Sequence, residues 1–532
     1  MSWWKSSVIY QIYPRSFFDS NDDGIGDLQG IVDKISYLRE LGIDVLWLSP
    51  IFPSPNHDFG YDISDYCSIA EDFGTLSNFD SLIQIAHQNN LKIILDGVFN
   101  HTSIEHPWFV EAKEGTKRDW YHFRDHRNNW TSAFGGSAWS YLPNIKKYYL
   151  HTFLTTQPDL NWSHPPVQDA ILEVMKFWLD RGVDGFRLDV FNCYHKNNEY
   201  QDNPFRWNLL SVLAKSVYPY ISYQHLHCRD QQEMFGTLSR MRELCDRYDA
   251  ILLGETLDEE FLYDNAAQYC GDRKLHLAFH FRLLHSRWNA SHFLLAIQSW
   301  LNSLSKEGWP TWVVSNHDFP RHATRWKGRN ATETNRKMKL IALLMLTLRG
   351  TPCIYYGEEI GLQERRMKHN EIQDPVGKRY WPFMKGRDGA RTPMQWDSDG
   401  GFSSHKPWNP YGHTKTSVQD QKLDPDSLWN TYRNLIHIRK QQRGLQTGDM
   451  MNLDVMYQDL LIYERCTEEQ VFWILINMSS TKNINVSISE DDGDILFSCG
   501  DVLQSKNTIQ LNIFSGLLFI KNVQSTITIQ DI

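Results

Sequence analysis

The sequence predicts a (β/α)₈ barrel, the TIM-barrel architecture of the α/β class, with a small domain inserted after strand 3 and a C-terminal antiparallel β domain. Three observations lead to this prediction. Short apolar or β-branched runs alternate with segments of helical periodicity, which is typical of βαβ units in a parallel sheet. Eight such strand candidates occur before residue 357. The 532 residues exceed one compact core, and a barrel with additional domains suits that length.

The eight predicted barrel strands follow one another with helical segments between them. They are residues 8–14, 45–49, 93–100, 185–190, 251–255, 275–281, 311–316 and 352–356. Helices are predicted at residues 31–41, 78–89, 165–181 and 427–441. In the second of these helices, Phe79, Leu82, Ile83 and Ala86 have the i, i+3, i+4, i+7 spacing of one helix face, which is expected to pack on the barrel.

Two departures from the alternation predict further domains. About sixty residues rich in Trp, Tyr, Asn, His and Gly follow His101, which is too long for an ordinary connection. We therefore expect an inserted domain over 102–164, with the barrel formed by 1–101 and 165–451. Alternating stretches at 460–465, 471–476, 484–488 and 509–520 predict a C-terminal β-sandwich over 452–532. The polar segment 363–396 predicts a long active-site loop.

Composition argues against several classes of partner. The formal net charge of -10 comes from interspersed acids and bases without a basic run, so we expect no nucleic-acid partner. Eight scattered cysteines without CxxC pairs predict reduced thiols and a cytoplasmic protein. Neither a signal peptide nor an apolar stretch long enough to cross a bilayer is evident, so no membrane partner is expected.

Acidic and basic residues follow four of the predicted strands. The third strand ends in Asp96-Gly-Val-Phe-Asn-His101, the fourth in Gly185-Phe-Arg-Leu-Asp189, the fifth in Gly254-Glu255 and the seventh in Asn316-His-Asp318. Functional groups of such barrels lie at the carboxyl ends of the strands, so these side chains are expected at one mouth. Any one of them alone is better explained as a helix cap or a member of an ion pair. Four together predict an active site.

These four stretches resemble signature regions of the α-amylase superfamily, glycoside hydrolase family 13, and Gln157-Pro-Asp-Leu-Asn161 resembles its fifth region. Residues 11–15, 60–62 and 386–393 extend the similarity over nearly all of the first 445 residues. Segments 377–382 and 391–396 look most like exo-acting α-glucosidases and oligo-1,6-glucosidases. The resemblance implies an enzyme, a retaining α-glucosidase that hydrolyses terminal non-reducing α-linked glucose from short oligosaccharides.

The resemblance also implies catalytic roles for three carboxylates. Asp189 would be the nucleophile, Glu255 the general acid/base and Asp318 a transition-state stabiliser. Retention requires a carboxylate and a protonated acid on opposite faces of the anomeric carbon, about 5 Å apart. Arg187, two residues before Asp189, shares its strand face and is expected to hold Asp189 ionised. The apolar run before Glu255 is expected to raise its pKa.

Substrate-binding residues are implied in the same way. His101 and His317 resemble the pair that hydrogen-bonds the glucose at the cleavage site, and Tyr61 resembles its stacking platform. Asp96 and Asn100 are expected to support these groups from behind.

The terminal glucose is expected to be fixed by an acid and a guanidinium. Asp62 resembles the acid of this clamp, and Arg391 is favoured over Arg387 as its partner. A pocket closed behind the terminal glucose implies exo-cleavage, because a chain cannot run through it.

A loop after the first strand has the composition of a metal site. Oxygen donors recur at alternate positions, which suits Ca²⁺ or Mg²⁺, and in the resembling family the same loop is a structural metal site. The predicted ligands are Asp19, Asn21, Asp23, Ile25 and Asp27. An Asx-rich turn without metal is the alternative. No organic cofactor is expected.

Linkage preference and reaction outcome stay open at this point. Val190 follows the expected nucleophile, and a valine there accompanies α-1,6 cleavage among relatives, whereas residues 191–195 look more like α-glucosidases of broader linkage use. One alternative is a transglycosylase, or a sucrose or trehalose isomerase, on the same scaffold. Another is a non-catalytic transporter subunit, which would lack the acids and carry a membrane helix. A disaccharide or small oligosaccharide substrate and a monomer or homodimer are expected.

Overall fold

The computed structural model describes residues 2–257, 265–412, 416–457, 459–487, 493–505, 508–521 and 528–530. Eight parallel strands form a closed barrel, which confirms the predicted fold class. Numbered along the chain, they are β1 (Ile9–Ile12), β2 (Val45–Leu48), β3 (Lys92–Gly97), β7 (Gly185–Leu188), β8 (Ile251–Gly254), β9 (Leu277–His280), β10 (Pro310–Val313) and β11 (Thr351–Tyr355). Each strand pairs with its neighbour in barrel order, and β11 closes on β1.

Helices alternate with the barrel strands and also occur in the inserted region and in the loops. Up to residue 257 they are Trp3–Ser6, Leu28–Asp33, Ile35–Leu41, Leu76–Gln88, Pro107–Glu114, Pro165–Asp180, Leu209–Ala214 and Met234–Asp246. From residue 265 they are Arg282–His285, Ala290–Ser303, His322–Arg325, Ala331–Thr347, Pro375–Tyr380, Val418–Leu423, Leu428–Gln441 and Arg443–Thr447. The predicted helix 31–41 is therefore wrong as a single element, because the backbone leaves the helical region at Lys34 (φ -103°, ψ 7°).

The helix Leu76–Gln88 illustrates how the sequence determines a local element. Thr75 caps its first turn, accepting a hydrogen bond from the backbone of Asn78, whose side chain accepts one from the backbone of Thr75 in return. The face formed by Phe79, Leu82, Ile83 and Ala86 is buried, as its spacing predicted. This face attaches the helix to the barrel.

Alternate strand residues fill the barrel interior, since successive side chains of a strand point to opposite faces. Strand residues of this inner cluster are Ile9, Val45, Trp47, Ile94, Ile251, Leu253, Leu277, Phe279, Val313 and Cys353. The packed interior fixes the strands relative to one another, so that their carboxyl ends present side chains in a defined arrangement.

Smaller antiparallel sheets are found in the inserted and C-terminal regions. Between β3 and β7, the strands β4 (Phe123–Arg124), β5 (Trp139–Leu142) and β6 (Lys147–Leu150) form a sheet of order β4-β6-β5. The C-terminal strands are β12 (Asp449–Met456), β13 (Leu460–Cys466), β14 (Val471–Asn477), β15 (Ile484–Ser487), β16 (Gly493–Cys499), β17 (Val502–Ser505), β18 (Thr508–Leu511), β19 (Ser515–Lys521) and β20 (Thr528–Gln530). They form two sheets, β12-β13-β14-β19-β16 and β17-β18-β15-β20.

One C-terminal prediction is wrong. Residues 509–520 do not form one strand but contribute to β18 and β19, which belong to different sheets. The chain turns between them at Phe514, whose φ is 49°. Residue 488, the end of another predicted strand, lies outside the described residues.

All eight cysteines are free thiols. None of the helices in the described ranges is long and apolar enough to cross a membrane.

Candidate active site

The barrel brings the predicted carboxylates to one end. Asp96 is in β3, Asp189 directly follows β7, and Glu255 directly follows β8. In the parallel register Asp96 lies opposite Arg187, which in turn lies opposite Leu253. Asp318 lies in the loop after β10. Asp96, Asp189 and Glu255 therefore lie at the carboxyl ends of three neighbouring strands, β3, β7 and β8, and Asp318 reaches the same end of the barrel from its loop.

Arg187 joins three of these carboxylates. Its Nη1 donates to Asp96 Oδ1 at 2.6 Å and to Asp189 Oδ1 at 2.7 Å, and its guanidinium also pairs with Glu255. The arginine is fully buried and lies 5.1 Å over the ring of Trp47. A buried cation requires such partners because its desolvation is costly. The carboxylates of Asp189 and Glu255 are thereby held on the same guanidinium.

The ionisation of Asp189 differs from the expectation. Burial raises its pKa to about 6, although Arg187 acts in the opposite direction, and Asp96 raises it further. The arginine orients the carboxylate at hydrogen-bond distance, but desolvation is the larger effect. Asp189 is still mostly ionised at neutral pH, as a nucleophile requires.

Asp318 has the opposite electrostatic environment. Its burial favours the neutral form, but His317, Arg387 and Arg391 outweigh this and hold its pKa below the usual range. Arg391 Nη2 lies 3.0 Å and Arg387 Nη1 lies 3.3 Å from Asp318 Oδ1. Asp318 is therefore a permanent anion at the mouth of the barrel.

The predicted sugar-binding side chains lie beside these acids. Tyr61 and His317 have stacked rings with centroids 5.3 Å apart, and the Tyr61 hydroxyl donates to Asp96 Oδ2 at 3.0 Å. Burial lowers the pKa of His317 to about 3, so the ring is neutral. His101 Nε2 lies 3.0 Å from the carbonyl oxygen of Tyr61. Asn100 Nδ2 lies 3.2 Å from His101 Nδ1, in the supporting position that was expected.

The predicted clamp between Asp62 and Arg391 is wrong. Asp62 is fully buried and accepts hydrogen bonds from the backbone amides of His57 and Asp58 and from the Ser54 hydroxyl. Its carboxylate therefore stabilises its own loop. Arg391 instead donates to the His317 carbonyl and to Asp318.

The expected pairing of an acid with a guanidinium is made instead by Asp58 and Arg387. Arg387 Nη2 lies 2.5 Å from Asp58 Oδ1, and its Nε donates to Asp374 Oδ1 at 2.6 Å. Gln157, from the fifth region of resemblance, donates to Asp58 Oδ2 at 3.2 Å. Sequence reasoning missed Asp58 and Asp374. The sequence did contain a signal for Asp58, because it is a second acid in the loop of Asp62 and lies three residues before Tyr61.

Val190 has an unusual backbone conformation beside Asp189. Its φ of 34° is in the left-handed region, which a β-branched residue rarely adopts. The turn brings the valine into the wall of the same cavity as Asp189, although successive strand residues would face opposite sides.

These residues surround a cavity of about 700 Å³. Its wall includes the three carboxylates Asp189, Glu255 and Asp318, the ion pair of Asp58 and Arg387, and the side chains of Tyr61 and His101. The predicted active-site loop 363–396 contributes Val376 and residues 383–387. A cavity of this volume is typical of a binding site for a small molecule.

The loop predicted to hold a metal is wound into successive Asx turns. Asp19 Oδ1 accepts from the amide of Asn21, Asn21 Oδ1 from that of Asp23, and Asp23 Oδ1 from that of Ile25. Asp27 caps the following helix through Gly30. In the described part of the chain, no group of three or more His, Cys, Asp or Glu side chains is arranged to hold a metal ion.

The donor chemistry of this loop nevertheless fits a hard cation. Asp19 and Asp27 are 3% and 5% exposed, and neither forms a salt bridge with a basic side chain among the described residues. Two buried anions so close in sequence favour a compensating cation.

The fold and the site define a class of protein. A closed parallel barrel carries three carboxylates around one pocket, two of them bound to one arginine, and this arrangement suits the hydrolysis of a glycosidic bond. The family model described as alpha amylase, catalytic domain, matches residues 11–448. The chain belongs to the α-amylase family, as its motifs predicted.

Known proteins similar to this chain include glucosidases and transferases. A probable alpha-glucosidase of Rhizobium meliloti is 43% identical over 90% of this chain and 89% of its own. An oligo-1,6-glucosidase of Parageobacillus thermoglucosidasius is 39% identical over 90% of each chain. Among solved structures, the α-glucosyl transfer enzyme XgtA has a TM-score of 0.90 at 37% identity, covering 98% of this chain and 100% of its own. The trehalulose synthase MutB of Pseudomonas mesoacidophila has a TM-score of 0.88 at 30% identity, with the same coverage.

Proposed function

We propose that the protein is a retaining, exo-acting α-glucosidase that releases terminal α-linked glucose from short oligosaccharides. The observation that carries the proposal is the shared contact of Asp189 and Glu255 with Arg187 at the wall of one cavity. Two carboxylates held on neighbouring strands suit a reaction that needs a nucleophile and an acid near one anomeric carbon.

In the proposed reaction, an Asp189 oxygen attacks the anomeric carbon while Glu255 gives its proton to the departing glycosidic oxygen. The bond to the leaving sugar breaks and a glucosyl ester of Asp189 forms. Glu255 then takes a proton from water, whose oxygen attacks the anomeric carbon and releases Asp189. Asp318, held ionised by two arginines, stabilises the positive charge that develops on the sugar ring.

The remaining polar residues of the cavity would bind the terminal glucose. His101 and the stacked pair of Tyr61 and His317 lie beside the carboxylates, where they would contact its hydroxyls and ring face. Asp58 and Arg387 would bind the hydroxyls farthest from the scissile bond, replacing the clamp first assigned to Asp62 and Arg391. The relatives named as glucosidases support this substrate class.

A transglycosylase is the second candidate. It shares the glucosyl ester and differs only in the acceptor, and the similar structures named as a transfer enzyme and a trehalulose synthase favour it. The acids of the pocket argue against a non-catalytic transporter subunit.

Initial rates on maltose, isomaltose, sucrose and trehalose test the proposal, with the anomer of the released glucose followed by proton NMR. We expect the α-anomer first, and no turnover by Asp189→Asn with its melting temperature preserved. Release of the β-anomer would contradict a retaining mechanism. Near wild-type turnover by Asp189→Asn would contradict the nucleophile assignment.

We further propose a structural Ca²⁺ or Mg²⁺ at Asp19, Asn21, Asp23, the backbone of Ile25, and Asp27. The alternating oxygens and the two buried carboxylates support it. The cation would neutralise the loop and stabilise its winding, without a part in the reaction. The eight free thiols support a cytoplasmic location.

A further inference from the structure

A second cavity lies at the opposite end of the barrel from the carboxylates. Asp44 directly precedes β2 and Lys92 begins β3, so both residues are at the amino-terminal end of the parallel strands. The cavity has a volume of about 300 Å³, which is at the small end of the range for sites that bind small molecules. It is here called the basal cavity and is lined by Trp3, Ser6, Ser7, Asp44, Asn90, Lys92, Lys440 and Gln446.

Two lysines supply positive charge to the basal cavity. Lys92 Nζ lies 2.8 Å from Asp184 Oδ1, and Lys440 Nζ lies 2.5 Å from Asp44 Oδ1. The second oxygen of Asp44 already accepts a hydrogen bond from the amide of Val8 at 2.8 Å. An ammonium group has three N–H donors, so each ion pair fixes a lysine while leaving donors for a ligand. The lining thus contains two cations and one anion, which suits an anionic ligand.

Two buried arginines behind the basal cavity add further positive charge. The carbonyl oxygen of Arg439 accepts a hydrogen bond from the Gln446 side chain at 3.1 Å, and Arg465 donates to the carbonyl of Gly448 at 2.9 Å. Both arginines are fully buried, and among the described residues their guanidinium groups donate to backbone carbonyls without an acidic partner at ion-pair distance. Burial lowers the pKa of Arg439 to about 10, so this side chain stays charged at neutral pH. Buried charge acts over a longer range than exposed charge, because little water screens it.

An aromatic side chain and two amides complete the basal cavity. Trp3 Nε1 donates to the carbonyl of Asp249 at 3.0 Å, and Lys92 Nζ lies 4.6 Å from the centre of the Trp3 ring. The ring is therefore held in place next to one of the two ammonium groups. The Asn90 amide can donate to hydroxyls and accept from them, and Gln446, whose amide nitrogen is bonded to the backbone, can accept through its oxygen. An indole beside amides suits a sugar ring, which has apolar faces and hydroxyls at its edge.

The lining therefore suits two different parts of one ligand. An uncharged sugar would leave the positive charge of the lysines without a counter-ion, whereas inorganic phosphate would not cover the indole. A phosphate ester of a sugar satisfies both, since its phosphoryl oxygens can pair with ammonium groups while its ring packs on the aromatic side chain.

We propose that the basal cavity binds a monosaccharide phosphate, with the phosphoryl oxygens on Lys92 and Lys440 and the sugar ring against Trp3. In the described part of the chain, the basal cavity shares no lining residue with the active-site cavity, so the inference does not depend on the proposed function. No bond is made or broken at this site, and the ligand stabilises the native state by mass action.

Isothermal titration calorimetry of the whole chain with glucose 6-phosphate tests the proposal. We expect one site with a Kd of about 1 mM or tighter, weakened when the ionic strength is raised. Inorganic phosphate should bind about tenfold more weakly, because it does not contact Trp3. The absence of glucose 6-phosphate binding, or equal affinities for the two probes, would overturn the proposal.

A second titration distinguishes the basal cavity from the active site. It uses Asp189→Asn with saturating maltose, which should occupy the active site without turnover. The affinity for glucose 6-phosphate should be unchanged. Displacement of glucose 6-phosphate by maltose would place the ligand in the active site and contradict the assignment to the basal cavity.

The aromatic contact is tested by Trp3→Leu, which keeps both ion pairs of the cavity. This variant should lose the preference for glucose 6-phosphate over inorganic phosphate, with the affinity for inorganic phosphate preserved. Trp207→Leu is the matched control, since Trp207 is 89% exposed and does not line the basal cavity, and it should retain the preference. A preserved preference in Trp3→Leu would refute the contact between the sugar ring and Trp3.

The charge contact is tested by Lys440→Gln, with the melting temperature measured to confirm folding. Its affinity for both probes should fall by about tenfold, because a charge-assisted hydrogen bond is lost. Lys176→Gln is the control, since Lys176 forms a comparable exposed pair with Asp180 at 2.6 Å outside the cavity, and its affinity should equal that of the parent. Equal affinities in Lys440→Gln and Lys176→Gln would show that the phosphate binds elsewhere.

Discussion

Arg387 and Asp58 form an ion pair with 2.5 Å between Nη2 and Oδ1, joining the loop after β11 to the loop after β2. The same guanidinium bonds Asp374 and lies 3.3 Å from Asp318. The guanidinium of Arg387 thus connects Asp58, on the far wall of the cavity, with Asp318 of the proposed catalytic set. We therefore expect the planar shape of the guanidinium to matter more for activity than its positive charge.

Arg387→Lys should therefore lower kcat/KM for a disaccharide by about a hundredfold, because an ammonium cannot bond three carboxylates in a planar fork. Steady-state rates on the best disaccharide measure the effect. Arg379→Lys, at an exposed position of the helix Pro375–Tyr380, is the matched control and should be neutral. Equal rates for the two variants would show that the fork has no role.

The pKa of Asp189 predicts the acid limb of the pH profile. The carboxylate is active when ionised, and its pKa is raised to about 6, so kcat/KM should be maintained above pH 6 and lost as the pH falls through that value. Rates measured with the stability of the protein checked at each pH test this. A limb centred near the ordinary aspartate value of about 4 would mean that Arg187 outweighs burial.

Glu255→Gln should separate substrates by their leaving groups. Its rate of glucosylation should fall steeply on maltose but much less on 4-nitrophenyl α-glucoside, whose leaving group needs no proton. Pre-steady-state release of nitrophenolate reports that step. Asp189→Asn is the control and should lose both substrates alike, because it removes the nucleophile. If Glu255→Gln lowered the glucosylation rate equally on maltose and on 4-nitrophenyl α-glucoside, that result would argue against a role of Glu255 as the acid.

Val190 is expected to influence linkage preference from its position in the cavity wall next to Asp189. Val190→Ala removes two methyl groups from the leaving-group side and should raise kcat/KM for maltose relative to isomaltose by about tenfold. Val190→Thr, which keeps the branch, shows whether shape or polarity is responsible. Val110→Ala, at an exposed valine outside the cavity, should leave the ratio unchanged. A constant ratio in both Val190 variants would assign linkage preference to the loop 363–396.

Chelation tests the proposed cation in the loop 19–27. A ligand of the native state at a hundredfold excess over its Kd stabilises by about 2.7 kcal/mol, so a chelator should lower the melting temperature. Asp23→Ala removes a proposed ligand oxygen and should abolish this dependence, whereas Asp22→Asn lies outside the alternation and should retain it. A melting temperature that does not respond to chelator, with no metal in elemental analysis, would favour a bare turn.

The sequence by itself determined the barrel and the positions of its acids. Strand and helix periodicities are local, so the parallel alternation and the buried face of the helix Leu76–Gln88 were readable without the fold. Because parallel strands end at one edge, the convergence of Asp96, Asp189 and Glu255 at one end of the barrel followed from their positions in or directly after the last residues of their strands.

Only the tertiary structure decided which charged groups pair and how they ionise. The spacing of residues in the sequence does not determine the direction in which a loop side chain points. It therefore could not predict that the Asp62 carboxylate accepts hydrogen bonds from the amides of His57 and Asp58, or that the Asp58 carboxylate pairs with Arg387. The pKa of Asp189 depends on burial contributed by the whole barrel, which outweighs the nearby arginine. Side-chain direction and desolvation arise from residues distant in sequence, and for that reason they become defined only when the chain is folded.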